Sequence, residues 1–483
     1  MTVGITSFGG YVPRLRLQRA VVVQAHSWFA PGLRAHSKGE RAICNWDEDA
    51  VTMAVEAARD CLTGLDRSSV KTVILASTSL PFVDRQNSVI VKEALNLEES
   101  LAAFDVTSSQ RAGTSALIQA FAAAANGPVL VAGSEHRKTK PGSEAELQNG
   151  DAAAAFVVGD KDPIAVLKGS YSLSIDFVDH YRGAGEEYDY TWESRWIREE
   201  GYGKLVPKAL KAGFATFPFK PADVTHFIMP TPFKGAAEAT AKGAGIPAEA
   251  VRDNLALVMG EAASAHPLVM LADVLQVAKP GDKIVVVGFG QGVDVLALEV
   301  TPAVTKLAPR IGIAGCLKNR VEEKQYTKFL FWTGNLPLEK GIRAEAEQQT
   351  AMSVLYRNRK SVMGLVGGRC TKTGTIQFPK TPFSVNPNDH AYNTQEDYPM
   401  ADLPAKIMTY TADSLAFSPD PPLYFGTVLF AEGGRITVDF TDMSPKDAEV
   451  GAAMKMVFRI RAVDERRGFT KYFWKAAPAV GPA

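Results

Sequence analysis

SSVKTVILASTS at 68–79, followed by QRAGTSALIQAF at 110–121, is the stretch on which the fold turns. The first run is apolar and β-branched without polar alternation, the pattern of a strand covered on both faces. The second opens on small residues and continues as an Ala-rich helix. The same order returns as ADVTHFIMPTP at 222–232 and EAASAHPLVMLA at 261–272. Laid over each other, the two sets predict an internal duplication. They place Gln110 opposite Glu261, each just ahead of a small-residue helix start. Such starts let a helix terminus approach another backbone, or leave room for a ligand beside free amide donors.

Working outward, GPVLVAGSE (127–135) and GDKIVVVGFGQG (281–292) are further buried strands, so residues 1–300 read as an α/β domain with a parallel or mixed sheet. The pattern breaks at about 301. A linker (301–335) leads to a region of helix and turns (336–402) that includes a charged helical segment at 337–359. Residues 403–483 carry short alternating strands, with the Gly433-Gly434 pair as a hairpin signal, and read as a small β-barrel.

At 483 residues the chain exceeds what one core usually supports, and 46% apolar with 22% charged residues is a globular composition. Lys+Arg and Asp+Glu both number 53, which argues against nucleic acid as a partner. No apolar run reaches membrane-spanning length and the N-terminus has no signal-peptide pattern. Four cysteines (Cys44, Cys61, Cys316, Cys370) make neither a disulfide framework nor a thiolate cluster, and the chain reads as cytoplasmic.

No P-loop, dinucleotide fingerprint, HExxH or EF-hand is present. Cys370 opens CTKTGT, with Thr373 where a zinc ribbon has its second cysteine, so the expectation is a knuckle that has lost its metal. His266 follows a small-residue turn at a helix start near Glu261, and is a candidate base, acid or thioester donor as well as a candidate packed histidine. His136, past a strand end, stands where α/β sheets place ligand loops. Arg137, Lys138 and Lys140 beside it form a basic cluster able to meet phosphates, or simply a solvated loop. His226 lies in a strand pattern. His180 belongs to a polar insertion (176–202), where a surface position is equally open.

GITSFGGYVPRLRL, NWDEDAVTMAVEAA, FDVTSSQRAGTSAL, GDAAAAFVVG and GDKIVVVGFGQGVDVLALEV together resemble the thiolase superfamily, in its branch of 3-hydroxy-3-methylglutaryl-CoA synthases and initiating ketosynthases. Residues from about 335 to 480, through RCTKTGTIQFP and YTADSLAFSPDPP, resemble the accessory domain of acyl-CoA enzymes, a rubredoxin-like knuckle followed by an OB-fold. The resemblance implies a duplicated five-layer αβαβα core, a homodimer, and coenzyme A as part of the substrate with no covalently bound cofactor. It does not extend to the catalytic residues. The family's nucleophilic cysteine corresponds to Gln110, its glutamate to Thr78, its histidine to Pro230, and its asparagine falls near Gly260.

A glutamine can donate a hydrogen bond to a thioester oxygen but cannot be acylated. The expectation is therefore an acyl-CoA-dependent enzyme that makes or breaks a carbon–carbon bond without a cysteine nucleophile, most concretely an aldolase acting on a β-hydroxyacyl-CoA. The alternatives are a cysteine-independent decarboxylase or Claisen-type enzyme, and a non-catalytic acyl-CoA-binding subunit supporting a thiolase-like partner. Candidate catalytic residues are His266, His136, Gln110 and Glu261. Candidate coenzyme A contacts are Arg137, Lys138, Gly113 and Gly290. Tyr202, Asp84 and Arg85 are further groups that could face the cavity, and no metal ligands are expected.

Overall fold

The computed structural model describes residues 2–345 and 351–480. Its centre is a nine-stranded mixed sheet. The strands in chain order are β1 (Gly4–Tyr11), β2 (Thr72–Ala76), β3 (Ala102–Val106), β4 (Val129–Glu135), β5 (Ala152–Gly159), β6 (Ala165–Ser174), β7 (His226–Ile228), β8 (Lys283–Phe289) and β9 (Gly292–Val300).

The sheet order shows the duplication directly. The N-terminal half runs β3-β2-β4-β5-β1 and the C-terminal half β7-β8-β9-β6, the two meeting where β1 pairs antiparallel with β6 through Gly4–Val166. An isolated parallel bridge from Phe227 to Val251 supplies the outermost position of the second half. Each half then has the same order of strands, and in each the last strand runs antiparallel to its neighbours. β2 and β7, predicted as counterparts, occupy equivalent places.

Helices α1 (Ala50–Cys61), α2 (Ala112–Ala123) and α3 (His266–Val277) define the layers. The counterparts α2 and α3 lie back to back in one buried cluster with the strands. Their approach is close enough that a Cβ on Gly113 would come 2.1 Å from the Ser264 carbonyl oxygen, so glycine there serves helix contact. Asp49 caps α1 by accepting from Thr52 N–H at 2.9 Å, and its Thr52 partner completes a capping box.

The predicted C-terminal strands form β10 (Ala405–Asp413), β11 (Leu423–Phe430), β12 (Arg435–Asp439), β13 (Ala453–Asp464) and β14 (Phe469–Pro478), in the order β12-β11-β10-β13-β14. The ladder is an open sheet, and its two ends touch through a single bridge between Phe440 and Ala476. One buried apolar cluster runs from Met53 and Val55 of α1 to Phe458 and Trp474 of this sheet. Buried charges cross the same seam. Lys475 Nζ lies 2.8 Å from Asp47, Arg459 lies 3.0 Å from Glu48 and 3.1 Å from Asp442, and the Tyr472 hydroxyl donates to Asp49 at 2.6 Å.

The helical segment expected at 337–359 is broken in the structure. A short turn at Ile342–Ala344 and helices at Met352–Arg357 and Arg359–Gly364 are seen, while 346–350 lie outside the described residues. In the knuckle, the Cys370 thiol lies 3.1 Å from the Thr394 hydroxyl, and the Thr373 hydroxyl bonds Thr375 at 2.9 Å. Neutral hydroxyls are not the thiolate or imidazole donors that structural zinc takes, so these residues do not fit the metal. No described helix is long and apolar enough to cross a membrane.

Candidate active site

The site is built at the N-terminus of α2. Arg111 anchors it by donating from Nε to the Gly290 carbonyl at 3.0 Å and pairing with the buried Asp294 at 2.8 Å. Asp294 also accepts the hydroxyls of Thr114, Ser115 and Ser172 at 3.0, 2.6 and 2.7 Å. A carboxylate so fully bonded fixes the helix start. Gly290 contributes by having no side chain, since a Cβ there would stand 3.0 Å from the Gln110 amide nitrogen. These contacts hold Gln110 at the wall of a cavity of about 810 Å³.

Opposite Gln110 stands His180. The Gln110 side-chain nitrogen lies 3.2 Å from His180 Nε2 and 3.3 Å from Nδ1. Asp179 Oδ2 lies 3.1 Å from Nδ1. A carboxylate at Nδ1 favours the tautomer with its proton there, which leaves the Nε2 lone pair facing the Gln110 amide. Asp179, His180 and Gln110 thus form a chain from a buried carboxylate through an imidazole to a carboxamide. His180 comes from the polar insertion, whose short hairpin pairs His180–Tyr181 with Tyr190–Thr191.

Glu261 and Tyr202 complete the wall. Burial pushes the Glu261 carboxyl above the usual range, Arg137 and His180 pull it back, Asp179 pushes with burial, and the balance is upward. A carboxyl raised in this way holds its proton more readily than an exposed one, as a proton donor requires. Tyr202 sits in a π-helical segment, Ile197–Leu205. Burial, then Glu261 and Asp179, raise its phenol well above the ordinary value, so it stays a protonated hydroxyl, able to donate. Lone π-helical turns recur where function bends a helix.

Two of the basic residues at this cavity, Arg137 and Lys138, are already paired. Arg137 pairs with Asp189, which also meets Arg182 at 3.3 Å, and Lys138 pairs with Glu187 at 3.0 Å. The insertion thus folds back onto the loop after β4. Of the residues weighed from sequence, Gln110, Glu261, Arg137, Lys138, Lys140, His180 and Tyr202 meet at this one cavity.

The others lie elsewhere. His266 is 1% exposed, its Nδ1 accepting from Ala262 N–H at 2.9 Å and its Nε2 donating to the Asn254 carbonyl at 2.7 Å. Both ring nitrogens are used and burial drives its pKa down to about 4, the state of a packed histidine. His136 turns to Asp151, 3.1 Å away. Gly113 and Gly290 serve backbone contacts, and Arg85 lies over the rings of Phe82 and Phe469. All four cysteines are buried and none lines the cavity. Burial pushes the Cys61 thiol up to about 12 and Cys316 to about 11.

Asp179 was not singled out from sequence, and His180 was weighed only as a residue of the polar insertion with a surface position equally open. The only signal was the adjacent acid–imidazole pair in DFVDHYRGAGEEYDY, inside a segment with no period to place it.

Residues 215–301 match the family of 3-oxoacyl-(acyl-carrier-protein) synthase III C-terminal regions. A hydroxymethylglutaryl-CoA synthase of Aeropyrum pernix is 31% identical over 329 residues, spanning 66% of this chain and 91% of that protein. The chain belongs to the hydroxymethylglutaryl-CoA synthase family. The Pyrococcus horikoshii member of the family is 30% identical, over 64% of this chain and 90% of its own length. A solved hydroxymethylglutaryl-CoA synthase, crystallised with CoA, shares the fold at a TM-score of 0.59 and 19% identity, covering 73% of this chain and 95% of its own. The 3-oxoacyl-(acyl carrier protein) synthase III of Pseudomonas aeruginosa shares it at 0.56 and 19% identity, over 62% and 99%. About a third of this chain therefore lies outside the stretches that align with those two members.

Proposed function

We propose that this chain is an acyl-CoA-dependent carbon–carbon bond enzyme working without an acyl-enzyme, most concretely an aldolase on a β-hydroxyacyl-CoA. The observation that carries the reading is Gln110 at the α2 N-terminus, facing the cavity with His180 beside it, while every cysteine is buried elsewhere. Membership of the hydroxymethylglutaryl-CoA synthase family supports an acyl-CoA thioester as substrate.

In cleavage, His180 Nε2 takes the proton of the β-hydroxyl. The O–H electron pair becomes the new carbonyl bond, the adjacent C–C bond breaks, and its electrons pass into the thioester enolate. Gln110 and the first amides of α2 offer donors to the enolate oxygen. The Glu261 carboxyl protonates the enolate carbon and recovers its proton from the imidazolium. Products are an aldehyde or ketone and a shortened acyl-CoA, and the reverse sequence is the aldol addition.

The C-terminal sheet is read in the same proposal as an OB-type barrel, supported by its strand order and the Phe440–Ala476 bridge between its end strands. Its knuckle is taken as metal-free, and the division at about 300, 335 and 402 follows the same reading. The edge strand β3, with Phe104 37% exposed, is where a second copy would add.

A non-catalytic supporting subunit is the second reading, favoured by the replacement of the family's cysteine, glutamate and histidine by Gln110, Thr78 and Pro230. Incubation of the purified protein with β-hydroxyacyl-CoA thioesters, and with aldehydes plus short acyl-CoA, separates them by mass spectrometry. Cleavage or addition products support the aldolase. Acyl-CoA binding without product supports the subunit.

A further inference from the structure

Away from the Gln110 cavity, three chain segments bring a thiol, an imidazole and a carboxylate together. Cys44 follows the strand Glu40–Ile43, His136 follows β4, and Asp151 precedes β5. The antiparallel register that pairs Glu135 with Ala152 sets His136 beside Asp151. Asp151 N–H donates to the Ala42 carbonyl at 3.1 Å and Cys44 N–H donates to Asp151 Oδ2 at 2.7 Å, which pins the third residue. One donor atom from each side chain lies within 4.8 Å of the other two.

The bonding around these atoms is incomplete. His136 Nδ1 is buried 3.1 Å from Asp151 Oδ2, an ion-pair contact that leaves it without a well-formed hydrogen bond. Asp151 Oδ1 is likewise buried and unpartnered. The Cys44 thiol has the Met53 sulfur at 3.7 Å and the Asp151 carboxylate beside it. Native proteins rarely leave such groups unsatisfied. An ion at roughly 2.0–2.3 Å from each ligand, in tetrahedral geometry, would place the ligand atoms roughly 3.3–3.8 Å apart, and the three donor atoms here already lie within 4.8 Å of one another.

We propose that Cys44, His136 and Asp151 bind a divalent transition-metal ion of the zinc class, with water in the remaining position. Thiolate, imidazole and carboxylate together are the donor set such an ion takes. The His136 side chain is 32% exposed, which gives the ion and its water a route in. Of the charged neighbours, Arg41 is occupied by the Glu146 carbonyl at 2.5 Å, and Asp49 is bonded to Thr52 and Tyr472. Two anionic ligands with one nearby guanidinium leave the site able to take a dication. The proposal stands apart from the aldolase reading.

The full chain, stripped with chelator and titrated with Co²⁺, tests it. The expected result is one bound ion per chain with a thiolate-to-cobalt charge-transfer band and the intense visible bands of a tetrahedral site. Cys44→Ser abolishes the charge-transfer band, and Asp151→Asn, which can still accept the Cys44 N–H, weakens binding by about tenfold or more. Cys370→Ser leaves both unchanged. Absence of the band, its survival in Cys44→Ser, or its loss in Cys370→Ser overturns the proposal. Should Cys44→Ser fail to fold, His136→Asn decides, since unchanged Co²⁺ binding there overturns it equally.

Discussion

Gln110 reaches His180 across the cavity, its amide nitrogen 3.2 Å from Nε2, although 70 residues of chain separate them. The two come from different architectural elements, one from a helix start pinned by Asp294 and the other from a hairpin of the insertion. Together they put a proton acceptor and a hydrogen-bond donor at one point of the wall.

If His180 is the base, His180→Ala lowers kcat for β-hydroxyacyl-CoA cleavage by about 10²–10⁴-fold with KM little changed. Asp179→Asn keeps the imidazole but loses the carboxylate that sets its tautomer, and falls between wild type and His180→Ala. Steady-state kinetics on the purified variants, with circular dichroism to verify folding, makes the comparison. Equal rates for His180→Ala and wild type would remove His180 from the mechanism.

Gln110→Cys places a thiol at a helix start, the environment that favours thiolate. Incubated with acetyl-CoA, this variant gains one acetyl group by intact-protein mass spectrometry, whereas wild type gains none. Gln110→Ala, lacking the donor, loses about 10²–10³-fold in kcat. Acetylation of wild type would contradict the absence of an acyl-enzyme.

His266 gives a pH dependence of stability. Its folded pKa is about 4, below the ordinary value near 6.5, because burial disfavours the imidazolium. Between those values the unfolded chain binds a proton that the folded one refuses. Its contribution is fully present above about pH 6.5 and is lost as pH falls toward 4, amounting to about 3 kcal/mol. Thermal unfolding midpoints at pH 7 and pH 5 should therefore separate, and His266→Gln should narrow the gap.

Arg459 is 1% exposed among Glu48, Asp442 and Asp47. Burial raises the Glu48 carboxyl to about 7, with Arg459 opposing, so removing the guanidinium leaves acids facing one another. Arg459→Met is expected to cost about 3–5 kcal/mol. Differential scanning calorimetry checks it, and an unchanged midpoint would show that the seam holds without this cation.

Much of the fold was legible because buried strands leave unbroken apolar runs. TVILA and KIVVVGF could scarcely be anything else, and matching α2 with α3 exposed the duplication. The strand Ala165–Ser174 was harder, since its exposure changes along its length and the sequence mixes Lys168 and serines with apolar residues. At the site, Gln110 and Glu261 stood out through the internal alignment. His180 did not, because its burial is created by long-range packing that leaves no local period. His266 drew attention for the opposite reason, as its helix-start position resembles that of a catalytic group while its two hydrogen bonds are internal.

The seam between α1 and the last strands also orders events during synthesis. Asp47 and Asp49 stand near the beginning of the chain, and their partners Lys475 and Tyr472 near its end. On a growing polypeptide Asp47 meets Lys475, and Asp49 meets Tyr472, only once the chain through residue 475 has been made. The seam therefore closes only after both halves of the nine-stranded sheet have been synthesised.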